Sequence, residues 1–303
     1  ICGMTTRSAT TPLEVPASRR ARIYLELTKP RVVLMVLITT LVGFYLGALG
    51  PPDVRLLAHT LLSTALAAGG TLALNQYLER DLDAKMIRTR TRPLPDGRIR
   101  PDDALLFGVA LAASGLVYQT LAVSALAAST TALTTASYLF LYTPMKRHTS
   151  LCSLVGAVPG ALPPVTGWVA ARGGLGIEAW VLFSILFLWQ LPHSLAIARI
   201  YRDDYARAGI RLLPVIDPDS ATTERQIVLN SLALFTVALL PTLVGVAGGL
   251  YFVVALGLGI ALLVASVRLS RSRSLADARR LLYATLVYLP VLLGVMAFDK
   301  VTF

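Results

Sequence analysis

Nine stretches of about 20 mainly apolar residues follow one another along this chain, at roughly 31–49, 54–77, 103–122, 124–142, 151–171, 178–199, 227–248, 250–267 and 281–298. Each is long enough to cross the hydrocarbon core of a bilayer as a helix. Inside lipid every backbone amide must be paired within the protein, which leaves helices and closed barrels as spanning forms, and unbroken apolar runs of this length fit helices. The sequence therefore predicts an all-α polytopic membrane protein, a bundle of nine transmembrane helices. Composition agrees: of 303 residues 55% are hydrophobic and 15% charged, and the mean hydropathy is +0.67, too little charge to coat a soluble domain of this size. The first 22 residues are rich in Ser, Thr, Pro and Arg and lack the apolar core of a secretory signal. The expected organisation is a flexible cytoplasmic tail over 1–22 and one intramembrane domain over 23–303.

A net charge of +11 could suggest nucleic acid, but the placement of the charges argues against that partner. All Lys and Arg except Arg55, Arg172 and Lys300 fall in the N-terminal segment or in the even-numbered loops. Lys29 and Arg31 belong to the first group, and the cluster from Arg268 to Arg280 to the last. The positive-inside rule then puts the N-terminus and the even loops in the cytoplasm and the C-terminus outside. The preference for Arg over Lys points to a bacterial cell (inner) membrane. Cys2 and Cys152 belong to no paired motif, so neither a disulfide framework nor a zinc site is implied.

Three departures from plain apolar spans occur, at the expected cytoplasmic ends of span 2 (from Asn75), span 4 (Tyr142 to Arg147) and span 6 (from Trp189). Asn75, Glu79 and Asp83 recur at i, i+4 and i+8, one stripe of oxygen donors along about 12 Å of helix. Oxygen-only ligands suit Mg²⁺, which keeps waters and takes phosphate oxygens. The competing reading is a helix end entering water, with Glu79 paired to Arg80 or Lys85. Asp81 points off the stripe. A second acidic pair, Asp203 and Asp204, stands at the end of span 6, and two acidic clusters on one face are what a diphosphate with Mg²⁺ needs. Arg88, Arg90, Arg92 and Lys146 could add phosphate contacts, whereas Arg98, Arg100 and the 268–280 cluster read as topology. His193 lies inside an apolar span, where an imidazole is either a substrate ligand or a satisfied structural group. Asn230, Ser231, Tyr118 and Gln119 read as contacts between helices. The Pro-rich loop near 84–101, with a Pro-Asp-Gly turn at 95–97, and the loop near 200–226, with a helix start at Ser220 to Glu224, are long enough to cap one site.

The run Asn75-Gln-Tyr-Leu-Glu79-Arg-Asp-Leu-Asp83-Ala-Lys-Met-Ile-Arg88-Thr-Arg-Thr-Arg92-Pro93-Leu-Pro95 carries a family resemblance. So do Tyr142-Thr-Pro-Met-Lys146-Arg147, Pro163-Pro164-Val-Thr-Gly167-Trp168, Trp189-Gln-Leu-Pro192-His193 and Asp204-Tyr205 through Gly209 to Leu213-Pro214-Val215. Over about 22–298 the chain resembles the protoheme IX farnesyltransferase (heme O synthase) family, within the UbiA-type intramembrane prenyltransferase superfamily. The resemblance implies nine spans around a central cavity open to the cytoplasmic side. It implies transfer of the farnesyl group of farnesyl diphosphate to a vinyl group of heme B, with addition of water. It assigns Asn75, Glu79, Asp83 and Asp204 to Mg²⁺, adds Lys146 and Asp203 to the catalytic set, and marks Arg88, Arg92, Arg147, His193 and Tyr201 as substrate-binding. A heme A synthase partner is implied in the same way. At Tyr201 and Tyr205, around the second acidic pair, the chain departs from the wider superfamily's pattern as the heme branch does, and at Cys152 and Ser194 it departs from the heme branch itself. The competing functions are prenylation of a quinone precursor or chlorophyllide, and, from another class, a membrane transporter.

Overall fold

The structure is a computed structural model and describes residues 17–217 and 219–301. Most of the expected tail thus lies outside the described residues, and from Ala17 the chain is already helical. The helices are α1 (Ala17–Leu27), α2 (Pro30–Gly47), α3 (Val54–Asp83), α4 (Pro101–Ala122), α5 (Ala125–Ala136), α6 (Thr143–Met145), α7 (Cys152–Ala161) and α8 (Pro163–Arg172). They continue with α9 (Ile177–Ile200), α10 (Arg202–Arg207), α11 (Leu213–Ile216), α12 (Ala221–Val237), α13 (Leu240–Leu243), α14 (Gly249–Ser272) and α15 (Leu275–Phe298). Their starts follow local chemistry. Asp53, Ser124 and Ser274 cap α3, α5 and α15 by accepting from backbone N–H groups three residues on, and prolines open α2 and α4, where no amide proton is needed.

Among the described residues eight helical segments are long and apolar enough to span a membrane, with α7–α8 and α12–α13 each counting as one. The expected fourth span is built differently. α5 passes into a π-helical segment, Ser137–Tyr142, before the short turn of α6. Pro144 has no N–H to give Phe140, so the ordinary ladder stops there. Thr143 donates instead to the Tyr138 carbonyl through both its backbone N–H and its hydroxyl, the latter at 2.8 Å. Such single-turn π segments inside helices are frequent at functional sites.

α3 packs along α4, α2 along α8, and α12 between α9 and α14. Without water to drive helices together, close backbone approach does much of the holding. A Cβ on Gly167 would stand 1.9 Å from the Thr40 carbonyl of α2, so that contact admits only glycine. Ser231 and Ser266 meet at 2.8 Å between α12 and α14, and Tyr118 reaches His59 at 2.6 Å between α4 and α3, as expected of polar groups between helices. Asn230 bonds back to Gln226 of its own helix, and among the described residues the buried Gln119 amide has no hydrogen-bond partner. The main hydrophobic core lies among α8, α9, α12, α14 and α15.

The two ends of the bundle differ. Gln76 near the end of α3 donates to the carbonyls of Glu26 and Leu27, so α1 lies at the charged end. Lys300 caps the far end of α2 through the carbonyls of Tyr45 and Ala48, so the described chain finishes at the opposite end.

Candidate active site

α3 delivers Asn75, Glu79 and Asp83 to the charged end with 1%, 8% and 1% of their surface exposed, which rejects the reading of a helix end in water. Each meets a cation from a different part of the chain. Lys29 Nζ donates to Asn75 Oδ1 at 3.0 Å, Lys146 Nζ to Glu79 Oε1 at 2.6 Å, and Arg92 Nη1 to Asp83 Oδ2 at 2.6 Å. The π segment brings Thr143 to within 3.2 Å of Asn75 Nδ2 and sets the Tyr142 ring 4.2 Å below the Lys146 ammonium. A stripe of anionic and amide oxygens interleaved with three cations binds neither a free anion nor a free cation best; it suits a phosphorylated group that arrives with a metal.

Lys29 was not singled out by sequence, which assigned it to topology. It sits between α1 and α2 with φ 50°, a left-handed conformation costing a lysine roughly 1 kcal/mol, and such strain concentrates at functional sites. Burial and the neighbouring Arg92 lower its pKa to about 7 against the pull of Glu79. Burial also opposes the charge on Lys146, but Tyr142 and Glu79 beside it raise its pKa above the ordinary value. A signal for Lys29 existed: in an Arg-rich chain lysine occurs only at positions 29, 85, 146 and 300, and two of these four reach the stripe.

The long loops close over this end. Arg98 ties the first to α1 through Glu26 at 2.7 Å, a bracing role beyond topology, and Gly97 turns with φ 69° where the Pro-Asp-Gly signal was read. Leu82 and Met86 pack with Ala208, Ile210 and Leu212 of the second in one apolar cluster that also encloses Cys152. Arg211 N donates to the Lys146 carbonyl at 2.9 Å. Asp217, rather than Ser220, holds the start of α12 by accepting from Thr223.

The second acidic pair does not complete a metal cluster with the stripe. Asp204 accepts from Ile87 N at 3.3 Å and pairs with Arg207, so it fastens one loop to the other, while Asp203 is exposed. Among the described residues no three His, Cys, Asp or Glu side chains converge as a metal site. The oxygen donors that fit Mg²⁺ are those of the α3 stripe, with waters and phosphate completing the shell. Arg88 lies over the rings of Tyr201 and Tyr205, at 5.3 and 5.9 Å, rather than on the stripe. Arg147 is exposed and holds no side-chain bond among the described residues.

Below the stripe opens a cavity of about 390 Å³. Tyr138, Tyr142 and Tyr205 stand near the stripe, and its lining includes aliphatic, glycine and threonine positions of α2, α3, α5, α7 and α9. Ser194 lines it, whereas Cys152 does not. His193 is also absent from the lining: its Nδ1 meets Thr285 Oγ1 of α15 at 2.9 Å, and its ring stacks on Trp189 at 4.7 Å. The structure thus places His193 off the cavity wall, because a helix turns 100° per residue and the faces of Gln190 and Ser194, not of His193, line the cavity. The expected result for His193→Ala is a loss of about 1 kcal/mol of stability in thermal unfolding, with an unchanged KM for either substrate; a raised KM would return it to the site.

A helical membrane bundle with a cation-matched oxygen stripe over an apolar cavity is the architecture of an intramembrane transferase working on a diphosphate. The model of the UbiA prenyltransferase family matches residues 36–289, and the chain belongs to that family. A protein from Solibacter usitatus named protoheme IX farnesyltransferase is 50% identical over 288 residues, covering 92% of this chain and 99% of its own. One of the same name from Aquifex aeolicus is 42% identical over 279 residues, covering 92% and 95%. Among solved structures, a digeranylgeranylglyceryl phosphate synthase superposes with TM-score 0.79 at 17% identity over 92% of this chain and 98% of its own. A UbiA homolog from Archaeoglobus fulgidus bound to DMAPP and Mg²⁺ gives 0.65 at 18% over 90% and 99%. At those identities the likeness speaks for the fold alone, and the fold agrees. The chain is an integral membrane prenyltransferase.

Proposed function

We propose that this chain transfers the farnesyl group of farnesyl diphosphate to a vinyl group of heme B, with addition of water, releasing heme O and diphosphate. The observation that carries the reading is the stripe of Asn75, Glu79 and Asp83, each matched by a cation, at the mouth of an apolar cavity; the names of the relatives specify the substrates. In this reading Asn75, Glu79 and Asp83 would hold Mg²⁺, which would supply neutralising charge to the diphosphate and make it a better leaving group. Lys29, Lys146 and Arg92, which already meet the oxygens of the stripe, are placed to favour the departing diphosphate as its charge grows. Asp204, Arg88 and Tyr201 hold the two loops together over the site. The cavity keeps bulk water from the allylic cation. The charged end faces the cytoplasm of a bacterial cell (inner) membrane by the positive-inside rule, with the C-terminus outside. A heme A synthase as consumer of the product rests on the family resemblance.

The test incubates the purified chain with heme B, farnesyl diphosphate and Mg²⁺ and looks for heme O by mass, with chelator as the control. Prenylation of a quinone precursor or chlorophyllide and none of heme would overturn the substrate assignment. A transporter is disfavoured because the ionisable groups crowd one end instead of lining a path through the midplane. For Lys29→Met the expected effect is a rise of about 10-fold or more in KM for farnesyl diphosphate, the loss of one charge-assisted hydrogen bond. Unchanged binding of inorganic diphosphate in that variant would remove Lys29 from the site.

A further inference from the structure

The cavity wall below the stripe carries more hydroxyl groups than a hydrocarbon chain needs. Two of them are linked across helices: Thr71 of α3 and Thr135 of α5 both line the cavity and stand 2.9 Å apart, oxygen to oxygen. Thr71 lies one turn, about 6 Å, below Asn75 on the same helix. Its hydroxyl donates to the Ala67 carbonyl at 2.7 Å. A hydroxyl has one proton to give. With that proton committed to Ala67, Thr71 can only accept from Thr135, and Thr135 must be the donor in the contact between them. The proton of Thr135 is then committed too. What remains of Thr135 is acceptor capacity alone, at the level where the carbon next to a diphosphate on the stripe would lie.

An acceptor in that place selects for a small molecule with protons to donate. The farnesyl chain and a vinyl group have none; water does. We propose that Thr135, with its hydroxyl oriented by Thr71, holds the water that adds to the substrate; this rests on the reading of farnesyl transfer to a vinyl group. A water that donates to Thr135 keeps a lone pair free for attack. As the bond from farnesyl C1 to diphosphate breaks, its electrons go to the diphosphate. The vinyl π pair forms the new bond from the terminal vinyl carbon to C1. The positive charge is left on the vinyl carbon attached to the porphyrin, and the water oxygen bonds there. The water's surplus proton passes to the released diphosphate at the stripe. If no water is held, the same cation is quenched by losing a proton from the adjacent carbon to diphosphate, and the product is an alkene lighter by one water.

Thr134 and Ser194 also line the cavity, but each donates within its own helix, to Thr130 at 2.9 Å and Leu191 at 3.2 Å, and among the described residues neither meets a hydroxyl on another helix. Thr134→Val therefore serves as the control.

The experiment measures by mass the ratio of hydrated to alkene product made from heme B and farnesyl diphosphate by the unaltered chain and by Thr135→Val, Thr71→Val, Thr135→Ser and Thr134→Val. For Thr135→Val the ratio is expected to fall about 10-fold or more, the effect of one lost hydrogen bond on the choice between two exits from one cation. Thr71→Val is expected to lower it in the same direction and reads the same chain if Thr135→Val does not fold. Thr135→Ser restores it, and Thr134→Val leaves it alone. A merely structural role would lower turnover and leave the ratio unmoved; that result overturns the proposal. Product from the unaltered chain made in heavy-oxygen water is expected to carry the label, and an unlabelled hydroxyl overturns it as well. If the unaltered chain gives no prenylated heme at all, the substrate reading falls and takes the water site with it, whereas heme prenylated in every variant at one ratio removes the water site alone.

Discussion

Asp83→Ala is expected to lower turnover by about 10²-fold or more, the effect of losing one preorganised charge-stabilising group. The basis is geometric. Asp83 is 1% exposed at the end of α3, and its carboxylate meets Arg92 at 2.6 Å. A carboxylate there orients Arg92, and in the proposed reading it would also offer oxygen to a metal arriving with the diphosphate. The two roles separate in Asp83→Asn, which keeps an oxygen for Arg92 but lacks the charge a divalent ion requires. That variant should retain near-normal thermal stability while its requirement for Mg²⁺ rises steeply. Full turnover at ordinary Mg²⁺ in Asp83→Asn would take Asp83 out of the metal site and leave it a partner of Arg92.

The second large effect concerns the pair of Lys146 and Glu79. Both side chains are nearly enclosed, with 13% and 10% exposed, so neither can turn to water when the other is removed. Lys146→Met is expected to cost about 3–5 kcal/mol in stability, mostly the penalty of leaving Glu79 charged and unpaired. Replacing both, as Lys146→Met with Glu79→Leu, removes the stranded charge and should recover most of that stability, since a buried ion pair is weak evidence of net stabilisation. Turnover should remain absent in the double variant. Thermal unfolding in detergent together with heme O formation checks both halves, and recovery of turnover along with stability would show the pair to be a structural brace only.

Much of this molecule is legible in its sequence. Apolar runs of about 20 residues leave few choices of spanning structure, and charges that alternate between loops order them. Asn75, Glu79 and Asp83 could be put on one face because helical periodicity is a local property. The same reasoning could not see the break near Pro144, where two bonds to the Tyr138 carbonyl turn the end of the expected fourth span into a π segment. Sequence also grouped Asp203 and Asp204 with the stripe by their position at the end of a span. The fold turned Asp204 to Ile87 and Arg207 and left Asp203 in the open, because α10 is a short helix separate from α9, and packing against the other loop, not the period of the span, sets which way it faces.

The contrast is sharpest in three basic or titratable residues. Arg88 stood beside the acidic motif in sequence, yet its guanidinium lies over Tyr201 and Tyr205 in the lid. His193 stood in an apolar span, yet Thr285 and Trp189 engage it away from the cavity. Lys29 lies 46 positions from Asn75 and yet touches it. Sequence by itself determined that the chain is an all-helical membrane protein, which helix face carries the oxygens, and at which end of the bundle they sit, because hydropathy, helical period and loop charge are properties of neighbours. Tertiary structure alone decided which cation meets each of those oxygens, since Lys29, Arg92 and Lys146 come from three separate segments that only packing brings together.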